Sequence, residues 1–272
     1  MGRVPIDDLD DPRIGIYRSL KATNQTRRLE QFVVEGERLV ERLLASRFPT
    51  VSVLMTDRHE PRLLSRIPEG VPAFVLPREL IDSLVGFPFH RGVLACGHRL
   101  PWPSLDEVVK AAPDRLTLVI CPKLSNPENL GAIARIGDVF GINAILSGPT
   151  CPDPFSRRVL RVSMGAVLSL PVLVSERLTE TADDLARSDN VQFFGAVADP
   201  EAEPFDSIAR PRRLGLVLGD EHEGIDPEWL DKCRKRITIP MRAGASSLNV
   251  AVAAGILIHH LTRNPSPIQP DS

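Results

Sequence analysis

Five short apolar runs beyond the first hundred residues constrain the fold more than any other feature: Leu116 to Cys121, Ala144 to Leu146, Phe193 to Val197, Leu214 to Leu218 and Ile237 to Ile239. They scarcely alternate apolar with polar residues, so each reads as a strand covered on both faces. Stretches long enough for helices lie between them, and the arrangement that satisfies both is an α/β fold on a parallel sheet. The first hundred residues read as a smaller α/β unit that opens on a basic, helix-like stretch around Arg18 to Leu29. There Phe32 to Val34 leads through Gly36 into Glu37 to Ser46, where Leu39, Val40, Leu43 and Leu44 recur at helical spacing. Val51 to Met55, Ala73 to Leu76 and Gly92 to Ala95 follow as strand candidates between proline and glycine punctuation.

Arg99 to Pro113 carries three prolines and breaks the periodic pattern. The expected organisation is an α/β domain over 1–100, a linker over 101–113, a second α/β domain over 114–264 and a disordered tail over 265–272. With 272 residues, 43% apolar and 25% charged, the chain can bury a core without disulfides or metal. Its cysteines, Cys96, Cys121, Cys151 and Cys233, lie far apart with no CxxC or CxxH spacing, which predicts reduced thiols and no metal site. No apolar run reaches membrane-spanning length, and the N-terminus is acidic where a signal peptide is basic and then apolar, so a cytoplasmic location is expected. A net charge of −2 excludes the strongly basic class of nucleic-acid binders. Any RNA contact then falls to local clusters, for which Arg13, Arg18, Lys21, Arg27 and Arg28, or Arg157, Arg158 and Arg161, are the candidates.

Three constellations carry candidate chemistry. Ser125 to Arg135 opens a helix directly after a strand: Asn126 suits the N-cap, Pro127 the first helical position and Glu128 the positive end of the dipole. Leu130, Ile133, Ala134, Gly137 and Phe140 form its buried stripe, and Gly141 suits a left-handed end. Arg135 lies off that stripe on the face of Glu128, either a solvated helix arginine or a functional cation. The second constellation, Leu218-Gly219-Asp220-Glu221-His222-Glu223-Gly224, also follows a strand. Its carboxylates suit acid–base work or an acidic turn, and it lacks the glycine spacing of a dinucleotide fingerprint, which disfavours a nucleotide-dependent oxidoreductase. The third, Ile239 to Val250, runs into an almost wholly apolar helix over Ala251 to Leu261, a pattern buried on more than one side, with Ser246 or Ser247 as its expected cap. No GxSxG elbow supports Ser247 as a hydrolase nucleophile.

In this order and at these separations, the three constellations resemble the signature motifs of the SpoU/TrmH family of RNA 2′-O-methyltransferases, within the SPOUT class. NxGxxxR is matched by Asn129, Gly131 and Arg135, GxExxG by Gly219, Glu221 and Gly224, and the last motif by Ile239 to Met241, Gly244 and Ser247 to Val250. Arg161 to Ala166 is similar to the usual continuation, so the resemblance spans roughly Leu116 to Leu261. The N-terminal part resembles, more loosely, a ribosomal-protein-like substrate-binding domain through Phe32 to Glu41 and His90 to Ala95. Asn126 stands where the family often has Asp.

The resemblance implies a SPOUT-type parallel sheet with a C-terminal trefoil knot, preceded by a small α/β substrate-binding domain. It further implies a homodimer acting on rRNA or tRNA with S-adenosylmethionine as cofactor, held largely by main chain at Leu218, Gly219, Ile239 and Leu248. Arg135 is the implied activator of the ribose hydroxyl, with Asn129, Glu221, Ser247 and Asn249 positioning it and the cofactor. A guanidinium is a poor base, its pKa lying above about 12, which favours stabilising a developing alkoxide. No metal is implied. The reading from another class is a non-catalytic RNA-binding protein on the same fold.

Overall fold

The computed structural model describes residues 3–4, 6, 8–18, 20, 28–86, 89–242, 244 and 246–263. Most of the helix-like stretch at Arg18 to Leu29, Lys21 and Arg27 of the first basic cluster, and the 265–272 tail lie outside the described residues. The chain divides into two compact units, Met1–Pro101 with Phe155–Ser169, and Trp102–Pro154 with Leu170–Ser272.

The first unit is built on β1 (Arg3–Val4), β2 (Gln31–Glu35), β3 (Thr50–Met55), β4 (Ala73–Val75) and β5 (Val93–His98), in the order β1-β4-β3-β5-β2. β5 runs antiparallel to both neighbours and β4 parallel to both of its own. Helices α1 (Glu37–Leu44), α2 (Glu60–Leu63) and α3 (Arg78–Val85) follow β2, β3 and β4. Ile14, Tyr17, Val33, Leu54, Phe74, Ile81 and Leu94 belong to its core, where the Tyr17 hydroxyl meets Ser52 Oγ at 2.7 Å. Arg13 bonds Asp11 and Arg18 lies 3.3 Å from Asp10, so neighbouring carboxylates offset these two cations of the first basic cluster.

Unit two holds seven parallel strands: β6 (Leu116–Cys121), β7 (Ala144–Ser147), β8 (Val172–Val174), β9 (Gln192–Ala196), β10 (Glu203–Pro204), β11 (Arg213–Val217) and β12 (Cys233–Thr238). Their order is β10-β12-β9-β11-β6-β7-β8, and all five apolar runs become strands within one or two residues of their predicted ends, except that β12 starts earlier, at Cys233. α4 (Leu105–Lys110) precedes them, α5 (Pro127–Phe140), α7 (Leu178–Asp189) and α8 (Pro227–Lys232) lie between them, and α9 (Val250–Arg263) closes the unit. Leu116, Leu118, Ile120, Leu146, Phe193, Val217 and Trp229 belong to its core. Among the described residues, no helix is long and apolar enough to cross a membrane.

Two expectations about boundaries need correction. The proposed 101–113 linker contains α4, because Ser104 and Glu107 form a reciprocal capping box, and Val108, Val109 and Ala112 enter the core of the second unit. The segment Phe155–Ser169, expected within the second domain, folds into the first unit. It carries α6 (Arg157–Val162), which packs on β2, while the Phe155 ring lies 4.9 Å from Phe32 and 5.3 Å from Phe48. Arg157 sits 3.2 Å from Glu35 and donates to Leu20 O at 3.1 Å, so within the second basic cluster it is a fold-holding cation rather than an open phosphate contact.

Candidate functional site

The strand order of the second unit reverses at β6. From it the chain steps through β7 and β8 to one side, then crosses to β9, β11 and β12 on the other. Open parallel sheets take ligands beyond the carboxyl ends of their strands at such a reversal. Both of the first two constellations end there: the loop after β6 leads into α5, and the loop after β11 carries Gly219 to Gly224.

The start of α5 is set locally. Asn126 Oδ1 accepts from Glu128 N at 2.9 Å, Pro127 is the first helical residue, and Gly141 ends the helix at φ 72°. This places Asn129 and Leu130 on the buried face with Ile133, Ala134 and Gly137, while Phe140 is half-buried beside His259. In the loop after β11, Asp220 N donates to Gly224 O at 2.8 Å and Gly224 N returns to Asp220 O at 3.1 Å. Asp220 Oδ1 accepts from His222 N and Glu223 N, so this carboxylate holds the turn. Gly219 lies in the path of the same loop: a Cβ there would sit 2.2 Å from the carbonyl carbon of Gly224 and 2.5 Å from Ile225 N. The reason for glycine at this position is the loop's own backbone, not room for a ligand.

Glu221 joins the two loops. Its Oε2 accepts from Ser125 N at 3.2 Å and Ser125 Oγ at 2.9 Å, and its Oε1 from Asn126 N at 3.2 Å and Asn129 Nδ2 at 2.6 Å. Burial would raise its carboxyl pKa, but the Asn129 amide, its own backbone N–H and both Ser125 donors outweigh that and bring it down to about 2. Such a carboxylate is an anchor, not a proton acceptor at neutral pH. Lys123 pairs with Glu223 beside it, and that contact and the nearby Asp220 and Asp226 push the Lys123 pKa up.

The same network reaches the third constellation. Asn129 Oδ1 accepts from Asn249 Nδ2 at 3.0 Å, and Asn249 Oδ1 accepts from Ala251 N at 2.9 Å and Val252 N at 3.3 Å. Asn249, rather than Ser246 or Ser247, therefore caps α9, because an amide can cap and bridge at once. Three segments distant in sequence are tied by Ser125–Glu221–Asn129–Asn249. α9 then packs on α5, returning across the sheet from β12.

The remaining candidates fall into two groups. Arg135 is exposed on α5 and makes no hydrogen bond or ion pair with any described residue, so the pair with Glu128 that local sequence allows is not formed. Ser247 is also exposed. Leu218 is buried and donates its N–H to Ile120 O at 2.9 Å, Ile239 is half-buried beyond the end of β12, and Leu248 is 39% exposed. Main chain at strand ends and open apolar side chains suit a flat heterocycle held without charge. Sequence reasoning gave Ser125 no role in this network; its place just before a predicted N-cap was the available signal.

The model of the SpoU rRNA Methylase family matches residues 116–259. The chain is 32% identical to an uncharacterized tRNA/rRNA methyltransferase of Mycobacterium tuberculosis (strain ATCC 25618 / H37Rv), over 97% of this chain and 93% of that protein. It is 28% identical to the 23S rRNA (guanosine(2553)-2′-O)-methyltransferase RlmP of Bacillus subtilis (strain 168), over 94% of this chain and 98% of that one. Its fold is similar to that of the AdoMet-bound rRNA methyltransferase of Sinorhizobium meliloti, with a TM-score of 0.80, 21% identity, and coverage of 97% of this chain and 99% of that one.

Proposed function

Since the chain belongs to the SpoU rRNA methylase family of RNA methyltransferases, we propose that it moves a methyl group from S-adenosylmethionine to a ribose 2′-hydroxyl in structured rRNA or tRNA. The observation that carries this reading is the bonded chain Ser125–Glu221–Asn129–Asn249 at the sheet's reversal point, with the exposed Arg135 on the helix that it anchors. The 2′-oxygen specificity is supported by the 28% identity to RlmP.

S-adenosylmethionine supplies an electrophilic methyl on a sulfonium. The donor set fits it: the main chain of Leu218 and Gly219, and the half-open apolar side chains of Ile239 and Leu248, make an uncharged setting for adenine. Glu221, Asn129 and Asn249 act on this setting by holding its loops, since their side-chain groups are engaged with one another and with neighbouring backbone. Arg135 stabilises negative charge as it grows on the attacking oxygen and holds an adjacent phosphate, and Ser247 orients the hydroxyl. With S-adenosylmethionine held there, its sulfonium would supply the methyl to the ribose oxygen and leave as a neutral thioether, while the hydroxyl proton would pass to solvent.

The finer architecture follows the same reading. The return of α9 onto α5 after β12 has crossed beyond β9 supports a knotted C-terminus. Val139, Val252 and Ile256, 67%, 51% and 37% exposed on α5 and α9, support a homodimer through these helices, with Arg135 one turn from Val139. The first unit serves as the RNA-binding module, and the RNA substrate places the reaction in the cytoplasm.

The test is transfer of labelled methyl from S-adenosylmethionine to separated rRNA and tRNA, with Arg135→Ala as control. Label in one fraction that survives alkaline hydrolysis as a dinucleotide, and is lost in the variant, is the expected result. RNA binding without transfer to any fraction, undermodified RNA included, would replace this reading with the non-catalytic one.

A further inference from the structure

We propose that Ser125 is a positioning residue of the cofactor site, fixing the Glu221 carboxylate with its hydroxyl and its backbone N–H and thereby holding the 218–224 loop in its binding shape. This rests on the methyltransferase reading above. Ser125 lies outside the three residues matched in the first motif, yet it supplies both donors found on Glu221 Oε2. The other oxygen takes Asn126 N and the Asn129 amide. Asn126 and Asn129 hold one oxygen of the carboxylate, and Ser125 holds the other with its backbone N–H and its hydroxyl. The Lys123–Glu223 pair is no substitute, because both groups are largely exposed and water screens such a pair.

Losing the hydroxyl leaves Oε2 with a single backbone donor, and the carboxylate can then swing away from Asn129. The Asn129 amide would lose its fixed orientation and, with it, the acceptor that Asn249 uses. The titratable groups around the two loops are Asp220, His222, Glu223, Asp226, Lys123 and Glu128, with the thiols of Cys121 and Cys151 close to Glu221. Replacing Ser125 changes none of these charges, so a moved titration of Glu221 in the variant reports the lost donor.

The experiment has two parts. In the full-length protein without cofactor, the Glu221 carboxyl is followed by carbon NMR against pH in wild type, Ser125→Ala and Ser125→Thr. The alanine variant is expected to titrate at higher pH and the threonine variant like wild type. S-adenosylmethionine affinity is then measured by calorimetry at neutral pH. Ser125→Ala should bind about fivefold more weakly, the size of one net hydrogen bond, and Ser125→Thr should restore affinity. Adding Ser125→Ala to Glu221→Gln should cost little more, since both act through one contact. Undiminished affinity in Ser125→Ala, or a loss equally large in the Glu221→Gln background, overturns the proposal. An unmoved Glu221 titration in Ser125→Ala overturns the anchoring alone. A wild-type protein that fails to bind S-adenosylmethionine overturns the methyltransferase reading, and with it the cofactor role of Ser125, whatever the apo titration shows.

Discussion

Replacing Gly219 by alanine puts a methyl group where the backbone of Gly224 and Ile225 already runs, 2.2 Å from one carbonyl carbon and 2.5 Å from the next nitrogen. Backbone cannot rotate away as a side-chain tip can, so the turn must open. Opening it removes the two hydrogen bonds between Asp220 and Gly224, each about 1 kcal/mol net, and adds overpacking strain of about 1–3 kcal/mol. The expected destabilisation is about 3–5 kcal/mol, a fall of roughly 6–20 °C in Tm for a domain of this size. Thermal unfolding of the protein without cofactor measures it directly. If this glycine served only to make room for a ligand, the variant would unfold like wild type and fail only in binding. An unchanged Tm in the absence of cofactor would therefore refute the argument.

Arg135→Ala should abolish methyl transfer while leaving Tm and S-adenosylmethionine affinity within about twofold of wild type, because no described residue depends on the guanidinium; calorimetry and unfolding check both. Glu221 titrates below its ordinary value of 4.5, at about 2, so its contribution to stability is fully present above that ordinary value and is lost as pH falls through the folded one. The stability gap between wild type and Glu221→Gln should then be constant above about pH 5 and shrink from there toward pH 2, as read by denaturant titration. Asn249→Ala removes both a helix cap and the bridge to Asn129, for an expected loss of about 1–2 kcal/mol; Asn249→Ser should recover the cap alone, and equal stability of the two variants would show that the cap is dispensable. Val252→Asp with Ile256→Asp should shift the protein to monomer in sedimentation if α9 is a subunit interface.

The parallel sheet was readable because burial on both faces leaves nearly continuous apolar runs, and α5 because Asn126, Pro127 and Gly141 each mark a helix end for a local reason. Strands β8 and β10 went unseen: with three and two residues they carry too little pattern to stand out from loop. α4 was hidden by the prolines around it, although Ser104 and Glu107 spelled a capping box. The cap of α9 was assigned to the serines because they are common caps, whereas Asn249 takes that place through a partner 120 residues away. Resemblance to the SpoU/TrmH motifs grouped Asn129, Glu221 and Asn249, but did not say which would bond to which. That depends on the strand reversal, which brings together loops about 95 residues apart.

The fifteen-residue excursion at Phe155–Ser169 also limits how this chain can be taken apart. A cut near residue 101 would not release the second unit as a self-sufficient piece. The released piece would carry Phe155, Val159 and Leu160 stripped of the aromatic and strand partners that cover them, a greasy loop that invites aggregation. A chimera that exchanges the N-terminal module for that of a relative would have to exchange this inserted loop as well, or join two surfaces never matched to each other. The N-terminal segment and the inserted one are in effect one heritable part written in two places, and substitutions at Glu35 and Arg157 should be tolerated only in compensating pairs.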